Sequence, residues 1–154
     1  GECPMKCLIN TDRYNIDQSN FWGVIKKYVI EEFGRNEDDY TDIIAWSNLF
    51  KIAPFIRGDL EGISWNEQYI GNTKLFKQEL DDLKPQKVLI ITDLLEWALY
   101  FLHEAGIDFE LCRDCQDVVK ATSQYGKSMI LIASQPESKG WDNFKGKIAE
   151  YFRK

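Results

Sequence analysis

The sequence predicts one α/β domain whose sheet is mostly parallel. Short apolar runs rich in strand-forming residues alternate along the chain with segments whose apolar residues recur at helical spacing. Strands that are apolar throughout are typical of parallel sheets covered by helices on both faces. The chain has 154 residues, the size of one ordinary domain, and it shows no repeat and no linker. We therefore interpret residues 1–154 as a single domain.

The first elements follow an N-terminal loop. A helix is predicted from Asn20 to Phe33, with Ser19 or Asn20 as its N-cap and Gly34 as the residue that ends it. Its apolar residues recur every four positions, at Phe21, Ile25, Val29 and Phe33. The short apolar run from Ile43 to Trp46 follows a polar connection and predicts a buried strand.

The middle of the chain predicts a loop, two helices and a strand. Residues 47–71 contain a proline and three glycines without a sustained period, which indicates a long loop. A helix follows from Thr73 to Leu83, and Val88 to Ile91 is the clearest strand in the chain. Asp93 is then predicted to cap a strongly apolar helix over residues 94–104, which ends at Gly106.

The last third predicts two strands and a helix. The strands are Val118 to Ala121 and Met129 to Ile132, on either side of a turn at Tyr125-Gly126. The final amphipathic helix carries its apolar residues at Trp141, Phe144, Ile148 and Phe152.

Polar residues follow several of the predicted strands. In open α/β sheets, ligands bind beyond the carboxyl ends of the strands. Three stretches are therefore expected to converge there, with the N-terminal segment beside them: Ser47-Asn48, Thr92-Asp93 and Ser134-Gln135-Pro136.

Charge limits the function classes. The chain has 25 acidic and 19 basic residues, a net charge of −6. Nonspecific nucleic-acid binding depends on Lys and Arg that displace counterions from phosphates, so this balance argues against it. The sequence also lacks an apolar run of the roughly 18 residues that a membrane span needs and a signal-peptide pattern. We expect a cytoplasmic protein with no membrane association.

The four cysteines form two close pairs, Cys3 with Cys7 and Cys112 with Cys115. Ordinary reduced thiols are the simplest interpretation in a chain without export signals. A zinc or iron–sulfur site is the alternative if the two pairs meet in space. We assign no metal and no cofactor, and keep the four cysteines as weak metal candidates.

Several stretches, read in order, resemble the uracil-DNA glycosylase superfamily. They are Gly1-Glu2-Cys3-Pro4, Asn20-Phe21-Trp22, Ala45-Trp46-Ser47-Asn48-Leu49-Phe50-Lys51, Leu83-Lys84-Pro85 before Val88-Leu89-Ile90-Ile91, and Gln135-Pro136-Glu137 with Trp141 beyond it. The resemblance implies a three-layer α/β/α fold around a four-stranded parallel-type sheet. It also implies a DNA-repair activity, hydrolysis of the N-glycosidic bond of a base flipped out of DNA.

The resemblance implies roles for individual residues. Glu2 and Gln135 are the catalytic candidates: Glu2 would position water, and Gln135 stands where the family has a His-Pro motif. Asn48 matches the family's strand-end Asn, which pairs with uracil. The remaining substrate-binding candidates are Cys3, Pro4, Ser134, Pro136 and Phe50.

Two departures from the family pattern keep a second function open. Cys3 stands where one form of the first motif has Asp, and a thiol activates water poorly unless it is ionised. Gln135 replaces a histidine and carries no positive charge. The alternative is a catalytically inactive relative that binds a protein partner or a small nucleotide. The oligomeric state is left open.

Structural interpretations stand beside these roles. Asn48 is equally explained by hydrogen bonds within its own loop, and Gln135 by an extended loop before proline. Core positions are predicted for Trp46, Trp97, Phe101 and Trp141, whereas Phe50, Phe55 and Trp65 are better placed to stack on a base. The single histidine, His103, is interpreted as a surface residue near a helix end. Two interpretations apply to a group of basic residues, which either contact phosphates or are ordinary solvated surface residues: Lys51, Arg57, Lys127, Lys139 and Lys145.

Overall fold

A computed structural model of the chain describes residues 19–47, 49, 62–113, 118–136 and 140–154. Within these ranges the protein is a mixed α/β structure with four α-helices and one four-stranded sheet. Contacts group the chain into two compact units. The first unit comprises Gly1–Trp46 and Pro136–Lys154, and the second comprises Ser47–Gln135. No helix within the described ranges is long and apolar enough to cross a membrane.

The first helix, α1, spans Asn20–Phe33, as predicted. Ser19 is its N-cap, and the Ser19 hydroxyl accepts a hydrogen bond from the Trp22 N–H at 3.3 Å. Gly34 ends the helix in the left-handed conformation, with φ of 62°, which a residue without a Cβ adopts at little cost. Both boundaries therefore follow from local chemistry that is visible in the sequence.

The predicted strand from Ile43 to Trp46 is wrong. The structure has a 3₁₀-helix over Tyr40–Ile43, followed by residues without regular structure. The physical reason lies just before it, where Asn36 Oδ1 accepts from the N–H groups of Asp38 and Asp39 at 2.8 and 3.1 Å. Such side-chain bonds hold the backbone in a turn, which leads into the 3₁₀-helix instead of an extended strand.

The last helix, α4, spans Trp141–Phe152 and contacts α1. It buries Phe144 and Ile148, the centre of its predicted apolar face. Two ion pairs also join the two helices. Lys145 Nζ lies 2.6 Å from Glu31 Oε2, and Arg153 Nη2 lies 2.5 Å from Glu32 Oε2.

The second unit contains the remaining two helices and the sheet. In chain order its elements are α2 (Gly62–Leu83), β1 (Lys87–Ile91), α3 (Leu95–Glu104), β2 (Phe109–Leu111), β3 (Val119–Tyr125) and β4 (Ser128–Ala133). Helix α2 begins at Gly62 and not at Thr73, so the last part of the predicted long loop is helical. A glycine within a helix costs only about 1 kcal/mol, and burial of Tyr69 favours the helical turn that contains Gly71.

The sheet is mixed, so the prediction of a mostly parallel sheet is wrong. Its strand order is β1-β4-β3-β2, and only β1 and β4 run parallel. Strands β3 and β4 form an antiparallel hairpin through the turn at Gly126, whose φ is 56°. A tight hairpin turn forces its strands to be antiparallel. The three-residue strand β2 pairs with β3 and was not predicted.

Helices α2 and α3 share a core with the sheet. The buried residues of this core are Tyr69, Phe76, Leu80, Ile90, Ala98, Phe101, Leu102, Ala105, Ile107, Ala121, Ile130 and Ile132. On β4, Leu131 and Ala133 point away from Ile130 and Ile132, yet they are also fully buried. Both faces of β4 are therefore covered, which explains its continuous apolar sequence.

Two of the tryptophans predicted for the core are not there. Trp46 is 46% exposed and Trp97 is 37% exposed, whereas Phe101 is buried as predicted. Trp97 and Phe101 lie one turn apart on the same face of α3, and Trp97 lies at the edge of the core, where its ring stacks on Tyr69. Trp141 is half-buried in the first turn of α4.

Candidate functional site

The parallel strands β1 and β4 end side by side. Ile91 is in register with Ala133, and the next residue, Thr92, donates its N–H to the Ala133 carbonyl at 2.9 Å. The loops that leave these two strands therefore start at the same edge of the sheet, as the sequence predicts for Thr92-Asp93 and Ser134-Gln135. We call this edge the strand-end site; it consists of Thr92, Asp93, Ser134 and Gln135.

A hydrogen bond joins the two loops of the strand-end site. The backbone N–H of Gln135 donates to Asp93 Oδ1 at 3.0 Å. A carboxylate that accepts from a backbone N–H makes a charge-assisted bond, which is stronger than a neutral one. It fixes the carboxylate of Asp93 next to the base of the Gln135 side chain, which is half-buried.

The contact changes the predicted role of Asp93. We expected Asp93 to cap the following helix, but the N-cap of α3 is Leu94, which makes no side-chain capping bond. Thr92 Oγ1 instead accepts from the Leu94 N–H at 3.0 Å. The sequence therefore placed Asp93 at the correct edge of the sheet. It predicted the wrong hydrogen-bond partner, because Asp93 binds the Gln135 N–H and does not cap α3.

Ser134 and Pro136 are both buried on either side of Gln135. The Ser134 N–H donates to the Val118 carbonyl at 3.1 Å, and its hydroxyl lies 3.4 Å from the same oxygen. These contacts anchor the chain beside β3 and thereby position Gln135. The roles of Ser134 and Pro136 in substrate binding stay predictions.

Most of the other predicted site residues lie outside the described ranges. These are Glu2, Cys3, Pro4, Asn48 and Phe50. The side chains of Phe55 and Trp65 lie there too, as do Lys51, Arg57 and Lys139. Ser47 is described, and its hydroxyl donates to Glu79 Oε1 on α2 at 2.8 Å.

Neither described lysine fits the predicted phosphate role as expected. Lys127 lies in the turn before β4, at the opposite end of that strand from Ser134. Lys145 lies on α4 and pairs with Glu31. Lys127 is therefore not placed to contact a phosphate at the strand-end site, and Lys145 is engaged in an ion pair.

The metal hypothesis rests on one described cysteine. Cys112 directly follows β2, is half-buried, and donates its backbone N–H to the Lys120 carbonyl at 2.9 Å. Cys3, Cys7 and Cys115 lie outside the described ranges. Among the described residues, no group of three His, Cys, Asp or Glu side chains is arranged to hold a metal ion.

A groove on the second unit was not predicted. Helices α2 and α3 enclose a groove of about 300 Å³ lined by Tyr69, Ile70, Tyr100 and Glu104. The sequence interpretation assigned Tyr69 and Ile70 to a loop, which hid their position opposite α3. The only signal for this surface was the group of aromatic residues in the predicted helix that follows Asp93.

No family model matches the chain, and neither a curated protein nor a solved structure matches it.

Proposed function

We propose that this protein binds a nucleobase at the strand-end site, as a divergent uracil-DNA glycosylase-like protein. The carrying observation is the bond between the Gln135 N–H and Asp93 Oδ1, because it brings an amide residue and a carboxylate together where two parallel strands end. The three-layer arrangement and the roles of Glu2 and Asn48 belong to the same proposal, on the strength of the resemblance.

The chemistry of the two residues suits a pyrimidine edge. A carboxamide offers two N–H donors and a carbonyl acceptor, which complement the alternating acceptors and donor of uracil. The Asp93 carboxylate adds acceptor capacity, and a carboxylate near a bound base is also the group that a water-activating step requires. Slow N-glycosidic hydrolysis is the enzymatic form of the proposal.

The rate of that hydrolysis is expected to be low. Gln135 donates a neutral hydrogen bond to the departing base where the family has histidine. Loss of one such charge-stabilising donor typically lowers the rate about 10²–10³-fold. We therefore expect binding to be easier to detect than base release.

A non-catalytic binding module is the second candidate. Two observations favour it: the net charge of −6, and the antiparallel β3–β4 hairpin where the resemblance implies a parallel-type sheet. In this form the strand-end site binds a nucleotide without cleaving it.

Binding and release are tested on a single-stranded oligonucleotide with one central uracil. Fluorescence anisotropy measures affinity, and alkaline cleavage of the resulting abasic site measures release. Gln135→Ala removes the carboxamide but keeps the backbone N–H that bonds to Asp93. We expect it to weaken uracil-dependent binding about tenfold, as loss of one or two hydrogen bonds predicts.

Gln86→Ala is the matched control. Gln86 is exposed at the opposite end of β1, and its backbone carbonyl accepts from the Met129 N–H at 3.0 Å, a bond that alanine keeps. Equal loss in both variants, or equal affinity for uracil and thymine oligonucleotides, contradicts base recognition at this site. Uracil-specific binding without release favours the non-catalytic module.

A further inference from the structure

The groove between α2 and α3 has a rigid aromatic wall. Tyr69 is buried, and its hydroxyl donates to the Trp97 carbonyl at 3.0 Å. Its ring stacks on Trp97 at 5.9 Å between centroids and meets the Tyr100 ring edge-on at 5.0 Å. Tyr69 thus holds two aromatic side chains in place from behind.

The two side chains held by Tyr69 remain accessible to a ligand. Tyr100 is 53% exposed, Trp97 is 37% exposed, and Ile70 on the facing helix is 69% exposed. A monomeric protein rarely groups large apolar side chains on its surface without a binding role. Aromatic rings that are both exposed and fixed are suited to binding, because little side-chain entropy is lost when a ligand arrives.

The groove is electronegative. Glu104 lines it from the last turn of α3, where the helix dipole also places partial negative charge. The faces of the aromatic rings are themselves negative. Each of these contributions favours a cation and disfavours an anion such as a phosphate.

We propose that this groove binds an arginine side chain of a basic peptide segment in a partner protein. A guanidinium can stack on the Tyr100 ring while it donates two hydrogen bonds to the Glu104 carboxylate. Ile70, which also lines the groove, extends the apolar surface on which the aliphatic part of the arginine packs. The net charge of −6 favours a basic partner over an acidic one.

This binding site is separate from the strand-end site. Asp93 precedes the first turn of α3, whereas Glu104 is the last residue of that helix. Ten residues of α-helix span about 15 Å, so one ligand of base size does not reach both. The inference therefore stands without the nucleobase proposal.

The test uses the blocked peptide acetyl-Gly-Arg-Gly-Arg-Gly-amide and a twin in which both arginines are citrulline. Citrulline keeps the shape of arginine without its charge. Titrations of isotope-labelled protein, followed by amide NMR shifts, give both dissociation constants. We expect the arginine peptide to bind at least fivefold more tightly and to shift the amides of α3 near Tyr100 and Glu104.

Substitutions separate the charge from the ring. Glu104→Gln and Tyr100→Leu are each expected to weaken binding of the arginine peptide about three- to tenfold. Tyr100→Leu keeps apolar bulk but removes the ring face, and Tyr100→Phe keeps the face and is expected to bind within about twofold of the natural chain. Circular dichroism verifies that each variant is folded.

Asp82→Asn is the matched charge control. Asp82 accepts a hydrogen bond from Gln78 at 2.8 Å, which asparagine also accepts. It lies 12 positions along α2 from Ile70, about 18 Å by helical rise and beyond the screening length of about 8 Å in physiological salt. We expect no change in affinity.

Three results overturn the inference: equal binding of the citrulline twin, equal weakening by Asp82→Asn and Glu104→Gln, or loss of binding in Tyr100→Phe to the extent seen in Tyr100→Leu. Gln135→Ala distinguishes the two sites, because it is expected to reduce uracil binding and to leave the affinity for the arginine peptide unchanged.

Discussion

The hydroxyl of Tyr28 on α1 is buried, and no described residue forms a hydrogen bond with it. A buried hydroxyl without a partner loses its hydration without compensation, at a cost of about 1–3 kcal/mol. Burial and then the negative charge of Glu32 raise the pKa of Tyr28 to about 12, against a small opposing effect of Arg153. Burying the neutral hydroxyl of Tyr28 therefore costs free energy, and ionising it in the folded protein costs more.

Tyr28→Phe is expected to leave stability unchanged or to raise it by about 1 kcal/mol at pH 7, because it removes the unpaired oxygen and keeps the ring. At high pH the gain in stability from Tyr28→Phe should be larger than at pH 7. Tyrosine ionises near pH 10 in the unfolded chain but near pH 12 here, so the stability linked to Tyr28 is complete below pH 10 and is lost as pH rises toward 12. Urea unfolding at pH 7 and pH 11 measures both effects.

Tyr100→Phe serves as the control for this substitution, since Tyr100 is 53% exposed. It should leave the stability at pH 7 unchanged. A Tyr28→Phe protein that is less stable at pH 7 would mean that the hydroxyl has a partner outside the described ranges. A stability difference that stays constant between pH 7 and pH 11 would contradict the raised pKa.

Residue-level chemistry explains which local features could be predicted. The boundaries of α1 depend on Ser19 and Gly34, which act on neighbours a few positions away. Asp93 has the same kind of side chain as a helix cap, but its partner Gln135 is 42 positions away. The sequence shows that Asp93 is able to accept a hydrogen bond and does not show which N–H will donate it.

At the scale of elements, the pairing of α1 with α4 combines apolar burial with two partly exposed ion pairs. The two contributions differ in size. Phe144 and Ile148 are each about 1% exposed, and full burial of such side chains is worth about 1.5–3 kcal/mol. Exposed ion pairs typically contribute no more than about 1 kcal/mol. Burial in α4 therefore sets the stability of this part of the protein.

Ile148→Ala and Lys145→Gln test whether apolar burial contributes more to stability than the ion pairs do. Ile148→Ala is expected to lower the free energy of unfolding by about 2–5 kcal/mol, through lost burial and the cavity left behind. Lys145→Gln breaks the pair with Glu31 at the exposed side of the same helix and should cost less than about 1 kcal/mol. Urea unfolding in low and high salt measures both, and only the Lys145 effect should shrink with salt. A larger loss of stability in Lys145→Gln than in Ile148→Ala would contradict the greater contribution of burial.

The same scale shows where element prediction succeeds. Amphipathic segments such as α1 and α4 lie where the period of four places them, because their apolar face is long enough to be recognised. The run from Ile43 to Trp46 is too short for periodicity to distinguish a strand from other buried structure. Turn contacts at Asn36 decided that case.

At the scale of the whole molecule, strand pairing was the main unknown. Apolar strands between helices favour parallel pairing, and β1 with β4 follows that rule. The turn between β3 and β4 has the length of a hairpin loop, which outweighs the apolar pattern and makes the pair antiparallel. The strand-end site was still anticipated at Thr92-Asp93 and Ser134-Gln135, because it depends only on the parallel pair. The groove between α2 and α3 was not, since it requires the packing of two helices.

The net charge of −6 leads to a prediction about how the whole chain meets a nucleic acid. Each phosphate neutralised on single-stranded DNA adds about 0.7 to the slope of log affinity against log salt concentration. The excess of acidic residues repels the phosphate backbone, and Lys127 lies at the opposite end of β4 from Ser134, so few phosphates should be contacted. Anisotropy titrations of the uracil oligonucleotide between 50 and 300 mM NaCl are expected to give a slope magnitude below about 2.

Gln135→Ala should lower the affinity without changing that slope, because a carboxamide is uncharged. A slope magnitude of about 4 or more would require about six phosphate contacts and would mean that a basic surface, and not recognition of the base, drives binding.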